Sequence, residues 1–192
     1  MCAICKHYWC SKALLRQYHG TFALWHGNTV TLVVPINMKN ALTLTGCLLL
    51  TLAVGGVSGY FTMHEITTWY AALHKPFFNP PNYLFGPVWT LLYVLMGISF
   101  YLILKQPPST ARRNAIAIFI VQLTLNFFWS IIFFNLHCTG VALGEVALMW
   151  LAILWMIILF YPISKTAALL QLPYIAWVSF AAALNAAIFC LN

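Results

Sequence analysis

Three sets of side chains could do chemistry in this chain. Gln122, Asn126 and Trp129 are spaced four and three residues apart, so on a helix they share one face. Two amides beside an indole offer hydrogen bonds and a stacking surface in one place. In an apolar helix such amides must be paired, so the face should look into a bundle, where interhelical bonding is the plainer reading for Gln122 and explains Asn126, with Trp129 beside it, as well as a ligand does. Trp89, Tyr93, Met96 and Phe100 make a second stripe, for which packing or lipid contact is the plain reading. Trp177, Ala181, Leu184 and Asn185 make a third, in which Ala181 leaves room beside Trp177. Indole faces stack on flat π-systems in offset geometry. A pair of indoles could also relay charge, though nothing in the spacing requires it.

The ionisable candidates are few. Glu145 is the lone acid in an apolar stretch, and an acid inside a membrane is a functional candidate by default. It lies near a helix start, where the helix dipole favours it, so a structural or dimer-contact role is weighed ahead of catalysis. Lys75, with His74 beside it, could meet an anionic group or snorkel to lipid headgroups. Cys2, Cys5, His7 and Cys10 have the residue types of a zinc site, but the spacing is cramped and no second pair follows, so free thiols are the plainer reading. Cys138 and Cys190 fall on one side of the expected membrane, and small apolar thiols are the default there too. The apolar stretches show no metal cluster, no nucleophile–base pair and no phosphate loop. Neither a metal nor a cofactor is implied.

The elements that must position these groups follow from composition. Hydrophobic residues are 63% of the 192 and charged residues 6%, against the roughly 25% charged of a soluble domain. Mean hydropathy is +0.89, so lipid must solvate much of the exterior. Five stretches approach the ~20 residues a span needs: Ala41–Phe61, Leu84–Leu104, Asn114–Phe134, Val141–Tyr161 and Leu172–Leu191. The fold class is all-α, an integral membrane bundle of five transmembrane helices. Pro162 ends the fourth, while Pro173 and Pro87 suit first turns, where a missing N–H costs little. Gly55 and Gly59 form G-x-x-x-G, which proposes a helix interface without naming the partner.

The net charge of +7 does not imply nucleic acid, because the nine cations are spread thinly and the aromatics lie in apolar runs. Eight cations (Lys6, Lys12, Arg16, Lys39, Lys105, Arg112, Arg113 and Lys165) fall on one side of the five spans, and Lys75 alone on the other. The excess of positive charge places the N-terminus in the cytoplasm and the C-terminus outside. Two domains are expected. Residues 1–37 form an unstructured tail, or lie upstream of a natural start at Met38, and residues 38–192 form the membrane unit.

The longest connection runs from Thr62 to Tyr83. It holds Trp69-Tyr70-Ala71-Ala72-Leu73-His74-Lys75-Pro76-Phe77-Phe78-Asn79-Pro80-Pro81 and leads into Gly86-Pro87-Val88-Trp89 and Leu92-Tyr93-Val94-Leu95-Met96-Gly97. Its three prolines stiffen a folded-back loop. Composition reads it as an interfacial anchor, and the sharper reading is a lid over a cavity. This segment resembles the translocator protein family, the tryptophan-rich sensory proteins or TspO/MBR family. Phe78 departs from it, since Trp is usual there. Gln122-Leu123, Leu125-Asn126 and Trp129 match a second family motif, and Pro173-Tyr174 through Asn185 a third. The resemblance covers about residues 41–189.

The resemblance implies a five-helix bundle, often a homodimer, with a pocket under the first loop for porphyrins and similar flat apolar ligands. Positions matching Trp89 and Trp177 lie at the family's porphyrin site, and those matching Asn126, Trp129 and Ala181 lie in or beside the pocket. Tyr93 shares the stripe of Trp89, and Lys75 is placed to meet propionates at the mouth. The implied role is a receptor or sensor for tetrapyrroles, or their carrier. The alternatives are a light-dependent porphyrin-degrading enzyme using Trp89 and Trp177, and a steroid or lipid transporter. The Tyr and basic residue that end the fifth span of animal members are missing here, which sets cholesterol below porphyrin.

Overall fold

A computed structural model describes residues 38–192 with their side chains, together with the backbone of residues 17–18, 21–26 and 29–33. The chain divides into two units, Met1–Ala41 and Leu42–Asn192. In the first, three strands, β1 (Gln17–Tyr18), β2 (Thr21–His26) and β3 (Thr29–Val33), pair antiparallel in the order β1-β2-β3. The register sets Phe22 opposite Val33 and His26 opposite Thr29. Cys2, Cys5, His7 and Cys10 lie outside the described residues.

The second unit is a helical membrane bundle. Its elements are α1 (Met38–Thr67), α2 (Trp69–Ala72), a 3-10 turn (Asn82–Leu84), α3 (Phe85–Leu104), α4 (Thr110–Ser130) with a π-helical turn (Ile131–Asn135), α5 (Thr139–Phe160), α6 (Lys165–Leu169) and α7 (Leu172–Leu191). Among the described residues five helical segments are long and apolar enough to cross a membrane. They coincide with the five expected spans, so the protein is a multi-pass integral membrane protein that a lipid bilayer must surround.

Two boundaries differ most from the sequence reading. α1 continues to Thr67, one and a half turns past Phe61. Thr62, His64 and Glu65 end the run of apolar residues without breaking the helix, because neither Pro nor Gly intervenes. The connection between the first two spans therefore starts at Thr68. α4 begins at Thr110, four residues earlier than expected, because Ser109 caps it: its hydroxyl accepts from the Arg112 N–H at 3.1 Å. Pro173 sits in the first turn of α7, as expected. Pro87 is the third residue of α3, where the N–H lacks a helical partner in any case.

The bundle divides along its axis. Away from the 68–81 connection the core is filled with apolar and aromatic side chains. Phe100 of α3 stacks on Phe119 of α4 at 4.0 Å with rings 2° apart, and Phe119 in turn lies 6.5 Å from Phe160 of α5. Phe100 is thus a packing residue, and fully buried Met96, Ile103, Ile153 and Met156 fill the space around this stack. Gly97 lets α3 lie against α1, since a Cβ there would come within 2.9 Å of Leu48 and Thr51 side-chain atoms. Towards the 68–81 connection the helices enclose a cavity.

Candidate functional site

The cavity measures about 390 Å³, inside the ~300–1,000 Å³ range of small-molecule sites. Four long helices and the 68–81 connection contribute to it. Gly55, Gly56, Gly59 and Thr62 come from α1, and Trp89 and Tyr93 from α3. Trp129, Phe133 and Phe134 come from the end of α4, and Trp177, Ala181 and Asn185 from α7. The wall is overwhelmingly apolar and aromatic, which suits a flat, poorly hydrated ligand.

Of the seven binding residues expected from sequence, five line the cavity: Trp89, Tyr93, Trp129, Trp177 and Ala181. Asn126 stands behind the wall. It is 1% exposed, accepts a hydrogen bond from the Tyr93 hydroxyl, and donates to the Tyr174 hydroxyl at 3.1 Å. Helical periodicity put it on the correct face, but Tyr93 stands between it and the space. Lys75 does not line the cavity either. Its ammonium donates to the carbonyls of Ala71 at 3.0 Å and Leu73 at 3.1 Å, and lies 5.0 Å from the centre of the Tyr70 ring.

Those contacts make the 68–81 connection a folded lid. Tyr70, 2% exposed, lines the cavity and donates to Asn79 Oδ1 at 2.6 Å. Burial pushes its phenol up to about 12, so it stays a neutral donor at physiological pH. The His74 N–H donates to Asn192 Oδ1 at 2.9 Å, and Asn192 Nδ2 donates back to the His74 carbonyl at 3.0 Å, which ties the lid to the end of α7. Phe78 packs on Phe180 at 6.3 Å, and Phe180 on Trp177 at 5.4 Å, so the departure from Trp at Phe78 keeps an aromatic contact above the cavity.

The mouth has a second closure that the sequence reading missed. His137 adopts a left-handed backbone, φ 55°, a conformation in which His is enriched among non-glycine residues. Its ring stacks under Trp69 at 4.3 Å and 16°, and its Nε2 lies 3.1 Å from Glu65 Oε2. Asn135 Nδ2 donates to the Phe61 carbonyl at 3.0 Å. The C-terminal end of α1 is thereby fastened to the connection after α4. The π-helical turn widens the end of α4 at this point, and the Phe133 and Phe134 side chains it carries both reach the cavity. Such insertions recur at functional sites; in the sequence only the Phe-Phe pair marks this one.

Other expected groups fall elsewhere. Glu145 is buried, and neither of its oxygens has a hydrogen-bond partner among the described residues. Gln122 is fully buried and its amide is likewise unpaired, so no interhelical bond is seen from it. Gly55 and Gly59 part company: a Cβ on Gly55 would overlap the Tyr93 ring, whereas one on Gly59 would meet nothing within 4 Å. Cys47, Cys138 and Cys190 are free thiols. Among the described residues no three His, Cys, Asp or Glu side chains gather into a group able to hold a metal ion.

Comparison with known proteins agrees with this architecture. Residues 47–191 match the model of the TspO/MBR family. The chain is 45% identical over 153 residues to the tryptophan-rich protein TspO of Archaeoglobus fulgidus, covering 80% of this chain and 99% of that protein. It is 35% identical over 131 residues to the translocator protein of Homo sapiens, covering 67% and 78% of the two. It is 33% identical over 117 residues to the tryptophan-rich sensory protein of Cereibacter sphaeroides, covering 61% and 72%.

Proposed function

The chain belongs to the TspO/MBR family, and from that premise we propose that it is a membrane receptor or sensor that holds a porphyrin, or a similar flat apolar ligand, in the cavity under the lid. The observation that carries this reading is the wall itself: Trp89, Tyr93, Trp129 and Trp177 surround one space, with Ala181 leaving room beside Trp177. The macrocycle would stack on indole faces. Its propionates would lie at the lid, where Lys75 would exchange the Ala71 and Leu73 carbonyls for a carboxylate.

A second reading, light-driven breakdown of the bound porphyrin, is favoured by the presence of both Trp89 and Trp177 at the wall. One experiment addresses both. The purified protein is titrated with protoporphyrin IX in the dark and then illuminated. Saturable quenching of tryptophan fluorescence with an unchanged porphyrin spectrum is expected for a receptor. Loss of the porphyrin bands under light would make it an enzyme, and no saturable quenching would remove the ligand reading altogether. Passage of a steroid or lipid is the weaker alternative, because nothing in the wall selects a bulky, non-planar solute.

The same proposal includes orientation and assembly. The N-terminus would be cytoplasmic and the C-terminus outside, a reading supported by the eight-to-one division of Lys and Arg. A periplasmic-type reporter fused after Asn192 is expected to be active, and activity of a cytoplasmic reporter there would invert the assignment. α1 exposes Leu42, Leu49, Val57, Tyr60 and Met63, and a second copy of the chain or lipid would cover them.

A further inference from the structure

Asn126 touches no part of the cavity, yet its two amide ends are both committed. Oδ1 accepts from the hydroxyl of Tyr93 on α3, and Nδ2 donates to the hydroxyl of Tyr174 on α7 at 3.1 Å. The Tyr174 hydroxyl passes the chain on to Met149 Sδ of α5 at 3.6 Å. One side chain of α4 thus links, directly or through one phenol, to three other helices. All four residues are buried, Tyr174 and Asn126 almost completely. Burial strengthens these bonds, so each phenol is held where the amide puts it.

The two phenols that Asn126 holds are the two that bracket Trp89. The Tyr93 ring lies 5.7 Å from the indole at 30°, and the Tyr174 ring 6.3 Å away at 67°. On its other side Tyr93 fits against Gly55, where any Cβ would overlap the ring. The tyrosine therefore has an amide at its tip and a glycine at its face, and Trp89 has two amide-held tyrosines as ring neighbours.

We propose that Asn126 is a positioning residue for the stacking wall: by fixing Tyr93 and Tyr174 it fixes the plane of the Trp89 indole and makes the cavity selective for flat ligands. The proposal rests on the ligand-binding reading above, and it differs from a direct contact between Asn126 and the ligand. Its energetic origin is plain. Replacing the amide with an apolar group removes the Tyr93 hydroxyl's acceptor and leaves the Tyr174 hydroxyl with Met149 Sδ alone, so neither ring tip is held by the amide.

The test separates positioning from binding. The first readout needs no ligand: the near-ultraviolet circular dichroism that Trp89 contributes, defined as the difference between the unmodified protein and Trp89→Phe. Asn126→Leu is expected to abolish that difference band while far-ultraviolet helicity is retained. Tyr93→Phe and Tyr174→Phe each remove one support and are expected to reduce it, which keeps the test available if Asn126→Leu does not fold. The second readout is protoporphyrin IX affinity, expected to fall about tenfold in Asn126→Leu. Adding Tyr93→Phe to Asn126→Leu is expected to cost much less than Tyr93→Phe alone, because that hydroxyl has already lost its amide acceptor. A Trp89 band that survives Asn126→Leu, Tyr93→Phe and Tyr174→Phe overturns the proposal even if porphyrin binds. A wild-type protein that binds no porphyrin, with the band nonetheless lost in Asn126→Leu, overturns the ligand reading and leaves the positioning role standing.

Discussion

Ala181→Phe is expected to remove porphyrin binding while the bundle stays folded. Ala181 is half-buried and lies one helical turn from Trp177, with its side chain at the cavity wall. A phenyl group there enters space that is now empty, so the free protein tolerates it better than a packed core would. The ligand meets the full cost. Overpacking typically costs about 1–3 kcal/mol, and expelling a rigid macrocycle from a cavity of about 390 Å³ puts this substitution at the upper end. Affinity is expected to fall about 100-fold, measured by tryptophan quenching, with helicity by circular dichroism unchanged. Undiminished affinity in a folded Ala181→Phe protein would place the ligand elsewhere.

Trp89→Ala and Trp177→Ala are the second pair. Each indole has aromatic neighbours of its own. Trp89 packs on Tyr93 and Tyr174, and Trp177 on Phe85 at 6.1 Å and Phe180 at 5.4 Å. Truncation removes both the ligand's stacking surface and part of the wall. Truncating a buried aromatic in a packed core costs about 3–5 kcal/mol, an upper guide for a half-buried wall residue. A loss of affinity of at least about tenfold is expected from stacking and lost area together. Trp→Phe at either position keeps an aromatic face and is expected to retain most of the affinity. Phenylalanine is much harder to oxidise than tryptophan, so any light-driven loss of porphyrin is expected to drop sharply in both Phe variants. Degradation that survives both would leave the cavity in place and remove the indoles from the chemistry.

How much of this was legible beforehand depends on what each signal measures. Hydropathy found all five spans, because lipid must contact them, and it placed the end of the second at Leu104 as observed. It failed at Thr62–Thr67, where polar residues interrupt the apolar run but the backbone remains helical. The short α6 was missed for a similar reason: five residues carry no periodicity, and its cap, Ser164 accepting from the Ala167 N–H at 3.3 Å, is a single serine in a connection.

Within the site, spacing identified faces and could not measure reach. It put Asn126 on the inward face of its helix, yet Tyr93 is longer and occupies the wall in front of it. Charge counting singled out Lys75, but a lone ammonium near free carbonyls and a tyrosine ring folds onto its own loop. Gly55 and Gly59 share a face by spacing, and only the partner's shape distinguishes the slot for Tyr93 from the open cavity wall. The Glu65–His137 closure joins residues 72 positions apart and depends on a left-handed backbone at His137 that no local pattern announces.

The central claim is that a flat ligand occupies the space bounded by Trp89, Trp129 and Trp177, beneath Tyr70 of the lid. The most direct measurement is the structure of the full-length protein in lipid with protoporphyrin IX bound. The account predicts the macrocycle within the bundle, stacked against the Trp89 or Trp177 indole, with its propionates towards Lys75. A macrocycle bound on the lipid-facing surface of α1, with the cavity still empty, would contradict it.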